Sequence, residues 1–371
     1  MPYTHAEALS KAMMLDEADI NRLNSVLDQY PMLISDYYYS LIDFDDPNDP
    51  ILKMAVPSLQ EMSREGSFDT SGEASNTLIP GLQHKYRETA MILSTNKCAM
   101  YCRHCFRKRL VGLSDDEVAA HLDEIFAYIA AHKEISNVLV SGGDALMNEN
   151  AVIERYLKVL TAMEHLDLIR LATRIPVTLP ARITEDHDLQ SLLKRYGRLK
   201  KLYVVTQFNH PREITPQSAA AVRILSEAGC AVRNQTVLLK GVNDDASVLS
   251  TLLRNLTAIG CQPYYIFQCR PVTGVKSHFQ VPLRAGLEIV ESAKAMQNGM
   301  GKAFKYCLSH PEGKLEILGC VAGGQMLFRF HEAKDPQNCG KVFSLPVDSG
   351  SCWLPETLGG IHEKCRDVFG R

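Results

Sequence analysis

Between residues 89 and 270 the chain alternates, six times over, a short β-rich apolar run with an amphipathic stretch of helical spacing. The runs are AMILSTN (90–96), NVLVSG (137–142), IRLATR (169–174), LYVVTQF (202–208), VRNQTVLL (232–239) and PYYIFQC (263–269). Strands joined by helices pair in parallel, because each crossover returns the chain to the same end of the sheet. The pattern predicts an α/β fold, a partial (βα)6 TIM-like barrel that lacks the units needed for eightfold closure. Punctuation supports the helices: Thr215-Pro216 opens one and Gly229 closes it. Ser114 followed by Glu117 reads as a capping box ahead of an apolar stripe of Val118, Leu122, Ile125, Phe126 and Ile129. Chemistry on such a barrel belongs at the C-terminal ends of the strands.

The flanks read differently. Residues 1–65 show short polar helices, and 64–84 are Gly/Ser/Thr/Pro-rich and read as a long loop. From 300 onward clustered Gly, Pro and Cys suggest an irregular cover. The expected organisation is an N-terminal helical region with its lead-in loop (1–84), a barrel (85–299) and a C-terminal segment (300–371). Forty basic residues stand against 43 acidic, a net charge of −3 that offers no nucleic-acid footprint. No apolar run is long enough to span a bilayer, and no secretory signal is visible, so a cytoplasmic location is expected. Most of the eleven cysteines should then be reduced thiols.

Three cysteines demand more than packing. Cys98, Cys102 and Cys105 directly follow the first run, in the spacing C-x3-C-x2-C. Three thiolates on one loop suit three corners of a [4Fe–4S] cubane and leave one iron free for another ligand. Structural zinc ordinarily wants four ligands in tighter pairs. The neighbouring Arg103, His104, Arg107, Lys108 and Arg109 make the loop polar and would offset the negative charge of thiolates and cluster. After the second run, Ser141-Gly142-Gly143-Asp144 supplies glycines for close backbone approach and a carboxylate that can accept an ammonium.

The text STNKCAMYCRHCFRKR, with VSGGDALM, TRIPVTLPARIT, TQFNHPREIT and NQTVLLKGVND in the same order, resembles the lysine 2,3-aminomutase family of the radical S-adenosylmethionine (SAM) superfamily. The resemblance covers about residues 45–315. It implies that Ser141, Gly142, Gly143 and Asp144 bind the methionyl amine of SAM, with Gln207 and Gln235 toward its nucleoside. It also implies a second cofactor, pyridoxal 5′-phosphate (PLP), on Lys314, although the glycine run before that lysine is shortened to Glu312-Gly313. Lys85 and Tyr86 match positions on the PLP phosphate. The family's further arginine there is Thr89 in this chain, for which Arg87 would compensate. Arg107 matches the arginine that holds the substrate α-carboxylate.

Substrate residues depart from the family. Arg270 stands where lysine enzymes place one aspartate for the substrate's distal ammonium, and Ser309 replaces the other. A free ammonium beside a buried guanidinium is repelled, so an acidic or hydrogen-bonding side chain is expected instead of lysine. The family's zinc-site cysteine is missing after Gly241-Val242-Asn243-Asp244. Cys339, Cys352 and Cys365 lack tight spacing, so no zinc site is expected. The resemblance thus implies a PLP-dependent 2,3-aminomutase for a small-molecule substrate, an L-amino acid other than lysine, reduced by a donor such as flavodoxin or ferredoxin and assembled as a homo-oligomer. Dehydrogenation or elimination by the same machinery, a PLP-free relative and a non-catalytic iron–sulfur sensor stay open. The intact Gly142-Gly143-Asp144 segment speaks against a sensor.

Overall fold

The computed structural model describes residues 2–358. Twelve strands form one sheet in chain order: β1 (Thr77–Ile79), β2 (Leu82–Tyr86), β3 (Thr89–Leu93), β4 (Asn137–Ser141), β5 (Leu168–Ala172), β6 (Lys201–Thr206), β7 (Ala231–Leu238), β8 (Gln262–Gln268), β9 (Lys305–His310), β10 (Gly313–Val321), β11 (Gln325–Ala333) and β12 (Val342–Pro346). From β3 to β9 every neighbour is parallel. The crossover helices are Leu122–Ala131, Asn150–Thr161, His187–Gly197, Pro216–Glu227, Ala246–Ala258 and Leu283–Ala295. All six apolar runs of the sequence are strands β3 to β8.

Period-two alternation gives the sheet two faces with different tasks. Ile92, Val138, Ile169, Leu171, Val204 and Val232 are buried in the hydrophobic core with the helices. The residues between them, among them Met91, Leu139, Arg170, Ala172, Gln235 and Phe267, line a central cavity. No helix among the described residues is long and apolar enough to cross a membrane.

Three local expectations change. The helix expected from Ser114 begins at Leu122; Ser114 Oγ instead accepts from Asp116 N at 3.0 Å, and Glu117 is drawn to Arg109 at 2.8 Å. Ile125, Phe126 and Ile129 keep their buried stripe. The 64–84 loop contains a short helix, Glu73–Asn76, and then β1 and the start of β2; β1 pairs antiparallel with β2, and β2 with β3. Residues beyond 300, expected to be irregular, carry β9 to β12. Their clustered glycines mark turns: Gly323 (φ 76°) and Gly324 (φ 73°) both adopt the left-handed conformation that a tight hairpin between β10 and β11 requires. The Thr215 cap and the Gly229 terminus stand as read, with Thr215 accepting from Ser218 N and Gly229 at φ 87°.

Candidate active site

The three cysteines, Ser141 to Asp144, Gln207, Gln235, Lys85, Tyr86, Lys314, Arg107, Arg270 and Ser309 all line one cavity of about 350 Å³, and Arg87 does not. The loop after β3 carries the cysteines, and the segment after β4 grips that loop through its backbone. Gly143 N donates to Thr95 O at 2.6 Å and Asp144 N to Lys97 O at 2.8 Å. A Cβ on Gly142 would lie 2.3 Å from Thr95 O, and one on Gly143 2.3 Å from Lys97 O. The two glycines are therefore required by the approach of the cysteine loop itself. Asp144 is buried and accepts from Arg174 N (2.6 Å) and Leu146 N (3.0 Å), while burial raises its carboxyl to about 6.

All cysteines among the described residues are free thiols; Cys365 lies outside them. Burial, then the charges of Asp144, Cys105 and Cys102, pushes the Cys98 thiol well up. Cys105 is raised to about 11 by burial and by Cys102. Thiols held this way release their protons to a strongly electrophilic metal. No group of His, Cys, Asp or Glu among the described residues is arranged for a single metal ion. A cubane, in contrast, takes each thiolate at a separate iron, and this donor set fits it.

The cationic partner of the cysteines is one that the sequence reading passed over. Arg174, buried after β5, donates from Nη1 to Cys102 Sγ at 2.8 Å and is fixed by Glu213, by Tyr38 and by Gln207 O at 3.0 Å. Arg103 and Lys108, expected to balance cluster charge, are instead paired with buried Glu61 at 2.6 and 2.5 Å. His104 lies between Gln207 and Asn209, and its ring is held neutral by burial.

On the opposite wall, Lys314 of β10 pairs with Glu332 of β11 and lies 4.7 Å from the ring centre of Tyr265 and 5.7 Å from that of Tyr86. Ser309 of β9 is its cross-strand neighbour. Lys85 donates to His310 O at 2.6 Å and Ser71 O at 3.1 Å, and burial together with Arg270 lowers its ammonium to about 7. An anionic phosphate beside it would restore its charge. Thr89 lines the cavity, whereas Arg87 is exposed and lies off its wall, so the expected compensation does not occur. Arg170 of β5, another residue missed from sequence, does line it.

Arg107 donates to Ser141 Oγ and Gly142 O, both at 3.3 Å, and pairs with Glu73 at 3.2 Å. Glu73, from the segment read as a loop, also pairs with Arg109 at 2.6 Å. Burial alone would raise its carboxyl, but Arg107, Arg270 and Arg109 outweigh it and hold it at about 2. Its folded value lies below the ordinary 4.5, so the associated stability is present above pH 4.5 and lost as pH falls through about 2. That is about 3 kcal/mol. Thermal melts between pH 5 and 2 should therefore fall more steeply for the native chain than for Glu73→Gln, and parallel curves would refute it.

Buried polar atoms without partners concentrate in this cavity: Gln83 Nε2, His104 Nδ1, Arg107 Nε, Arg170 Nε and Thr206 Oγ1 all belong to residues that line it. Such groups are costly unless a ligand satisfies them. The wall carries Lys85, Arg107, Arg170, Arg174, Arg270 and Lys314 against Glu73, Asp144 and Glu332. This excess of cations suits anionic ligands.

Residues 92–249 match the Radical SAM superfamily. The chain is 38% identical over 358 residues to a putative L-lysine 2,3-aminomutase of Aquifex aeolicus, covering 96% of this chain and 95% of that one. It is 38% identical over 296 residues to the L-lysine 2,3-aminomutase of Fusobacterium nucleatum (79% and 68% covered). Over 312 residues it is also 38% identical to the glutamate 2,3-aminomutase of Clostridioides difficile (84% and 72% covered). Near end-to-end similarity at this level, on an α/β fold with the cysteine loop after its first parallel strand, shows that the chain belongs to the lysine 2,3-aminomutase family of radical SAM isomerases.

Proposed function

We propose that this protein is a PLP-dependent 2,3-aminomutase for an L-amino acid with an acidic side chain. The observation that carries the reading is the cationic cavity in which Arg270 faces the same space as Arg107, Lys314 and the cysteines. Lysine's distal ammonium would be repelled there, whereas a second carboxylate would be received. The relative named glutamate 2,3-aminomutase supports the same substrate class.

Family membership implies a [4Fe–4S] cluster and SAM. In this reading Cys98, Cys102 and Cys105 hold the cluster, and Ser141, Gly142, Gly143 and Asp144 receive the methionyl end of SAM. Gln207 and Gln235 face its nucleoside. When bound, cluster and SAM supply the hydrogen-abstracting radical, and PLP supplies the site over which nitrogen passes from the α to the β carbon. Lys314 carries PLP, with Glu332 holding the free amine in place beforehand. Lys85, Tyr86 and Arg170 receive its phosphate. Arg107 orients the α-carboxylate and Arg270 the distal one, so that the β-carbon hydrogen is presented in one pose. Ser309 borders the side-chain pocket. A flavodoxin- or ferredoxin-type donor reduces the cluster, and the working unit is a homo-oligomer in the cytoplasm.

The test is anaerobic reconstitution with iron, sulfide and PLP, then incubation with SAM, dithionite and individual amino acids, reading β-amino isomers by mass spectrometry. Turnover of an acidic amino acid is expected. Turnover of lysine alone would overturn the substrate assignment. Cys98→Ala, Cys102→Ala and Cys105→Ala should each lose the cluster's visible absorption together with SAM cleavage; a variant that keeps both would remove its cysteine from the ligand set.

A further inference from the structure

Arg174 lies just past β5, lines the cavity and is buried together with Glu213 and Tyr38. Each nitrogen of its guanidinium has a partner. Nε donates to Gln207 O at 3.0 Å, Nη2 donates to Glu213 and to the Tyr38 hydroxyl (3.3 Å), and Nη1 donates to Cys102 Sγ at 2.8 Å. Glu213 is fixed in turn. It accepts from the Tyr38 hydroxyl at 2.6 Å and from the backbone N–H groups of Asn209 (2.6 Å) and His210 (3.0 Å). The cation therefore bridges a cysteine sulfur and a carboxylate, a task for a planar fork that a single ammonium could not perform at once. Other basic groups near the loop are committed elsewhere: Arg103 and Lys108 to Glu61, and Arg107 to Glu73. A buried ion pair adds little net stability over apolar side chains of the same volume. A charge that touches a sulfur of a redox centre does something else, because it shifts an electron equilibrium.

We propose that Arg174 is a positioning residue that sets the reduction potential of the cluster, with Glu213 as its counterweight. The proposal rests on the reading above that Cys98, Cys102 and Cys105 hold a [4Fe–4S] cluster. One electron from the external donor leaves the cluster and its thiolates one charge more negative, with no bond made or broken in the protein. The Arg174 charge, in hydrogen-bond contact with Cys102 Sγ, favours that reduced form, and the hydrogen bond to sulfur acts in the same direction. The Glu213 carboxylate opposes it from the other terminal nitrogen of the guanidinium, so its effect on the cluster is the smaller. Together they hold the potential above that of a cluster without Arg174 and below that of one facing an unbalanced arginine. Removing the two charges one at a time therefore acts in opposite directions.

Anaerobic potentiometry of the reconstituted full-length enzyme without SAM, following the electron paramagnetic resonance signal of the reduced cluster, reads this directly. Arg174→Gln should make the cluster harder to reduce by roughly tenfold in the reduction equilibrium, about 59 mV lower for a one-electron couple. Glu213→Gln leaves the arginine charge unbalanced and should shift the potential upward. Arg174→Lys keeps the charge without the fork and should fall between the unsubstituted enzyme and Arg174→Gln. A purely structural role would loosen the packing in both glutamine variants alike, so shifts of the same sign overturn the proposal. Potentials that stay within about twofold in the equilibrium overturn it too. If Arg174→Gln does not load its cluster, the downward shift in Arg174→Lys and the upward shift in Glu213→Gln decide. Failure of all three variants to load leaves only a structural role and overturns the proposal. An unsubstituted enzyme that takes up no cluster overturns the cluster reading itself.

Discussion

Lys314→Ala is expected to abolish PLP attachment and lower turnover by at least roughly a thousandfold, about 4 kcal/mol of transition-state stabilisation. Lys314 lies at the centre of a constellation that has little other use for an amine. Its ammonium meets Glu332 across the β10–β11 ladder, and the rings of Tyr265 and Tyr86 flank it. The pairing keeps the lysine extended into the cavity. Absorption spectra before and after borohydride provide the check: a reducible PLP band in the native chain should vanish in Lys314→Ala, with cluster absorption retained. Persistence of the band would move the attachment to another amine, and Lys85 on the same wall is the one to replace next. Glu332→Gln separates anchoring from chemistry, because it should retain the band while weakening PLP retention.

Arg270→Asp should raise KM for the acidic substrate by roughly a hundredfold or more, consistent with the ~2–5 kcal/mol lost when one member of a buried charge pair is removed. The variant also places a carboxylate near Glu73, whose low pKa depends partly on Arg270. Glu73 should then titrate higher, so stability at neutral pH should fall while less of it is lost between pH 4.5 and 2. Arg270→Gln preserves hydrogen bonding without charge and distinguishes loss of attraction from added repulsion. Cluster and PLP content should be unchanged in either variant. Unaltered KM in Arg270→Asp would end the acidic-substrate assignment.

Strand–helix alternation and two-residue periodicity already dictate the run of parallel strands, because both are local and leave few ways to pair six β runs. The sequence by itself also located the candidate site, since residues just beyond parallel strands converge at one end of the sheet wherever the intervening helices vary. Thus Cys98, Asp144, Gln207 and Arg270, each past the end of its strand, reach one cavity with Gln235 of β7 despite their separation in the chain. The tertiary structure alone decided how the charges are spent. Glu61 takes up Arg103 and Lys108, Arg174 reaches Cys102 instead, and Glu73 and Glu332 approach Arg107 and Lys314 from segments that read as loop and irregular cover. Those segments form strands and a short helix by pairing onto an existing sheet edge, a stabilisation that their own composition does not encode. An ion pair depends on distances between residues far apart in sequence, so the balance of charge in the cavity exists only once the sheet has curved around it.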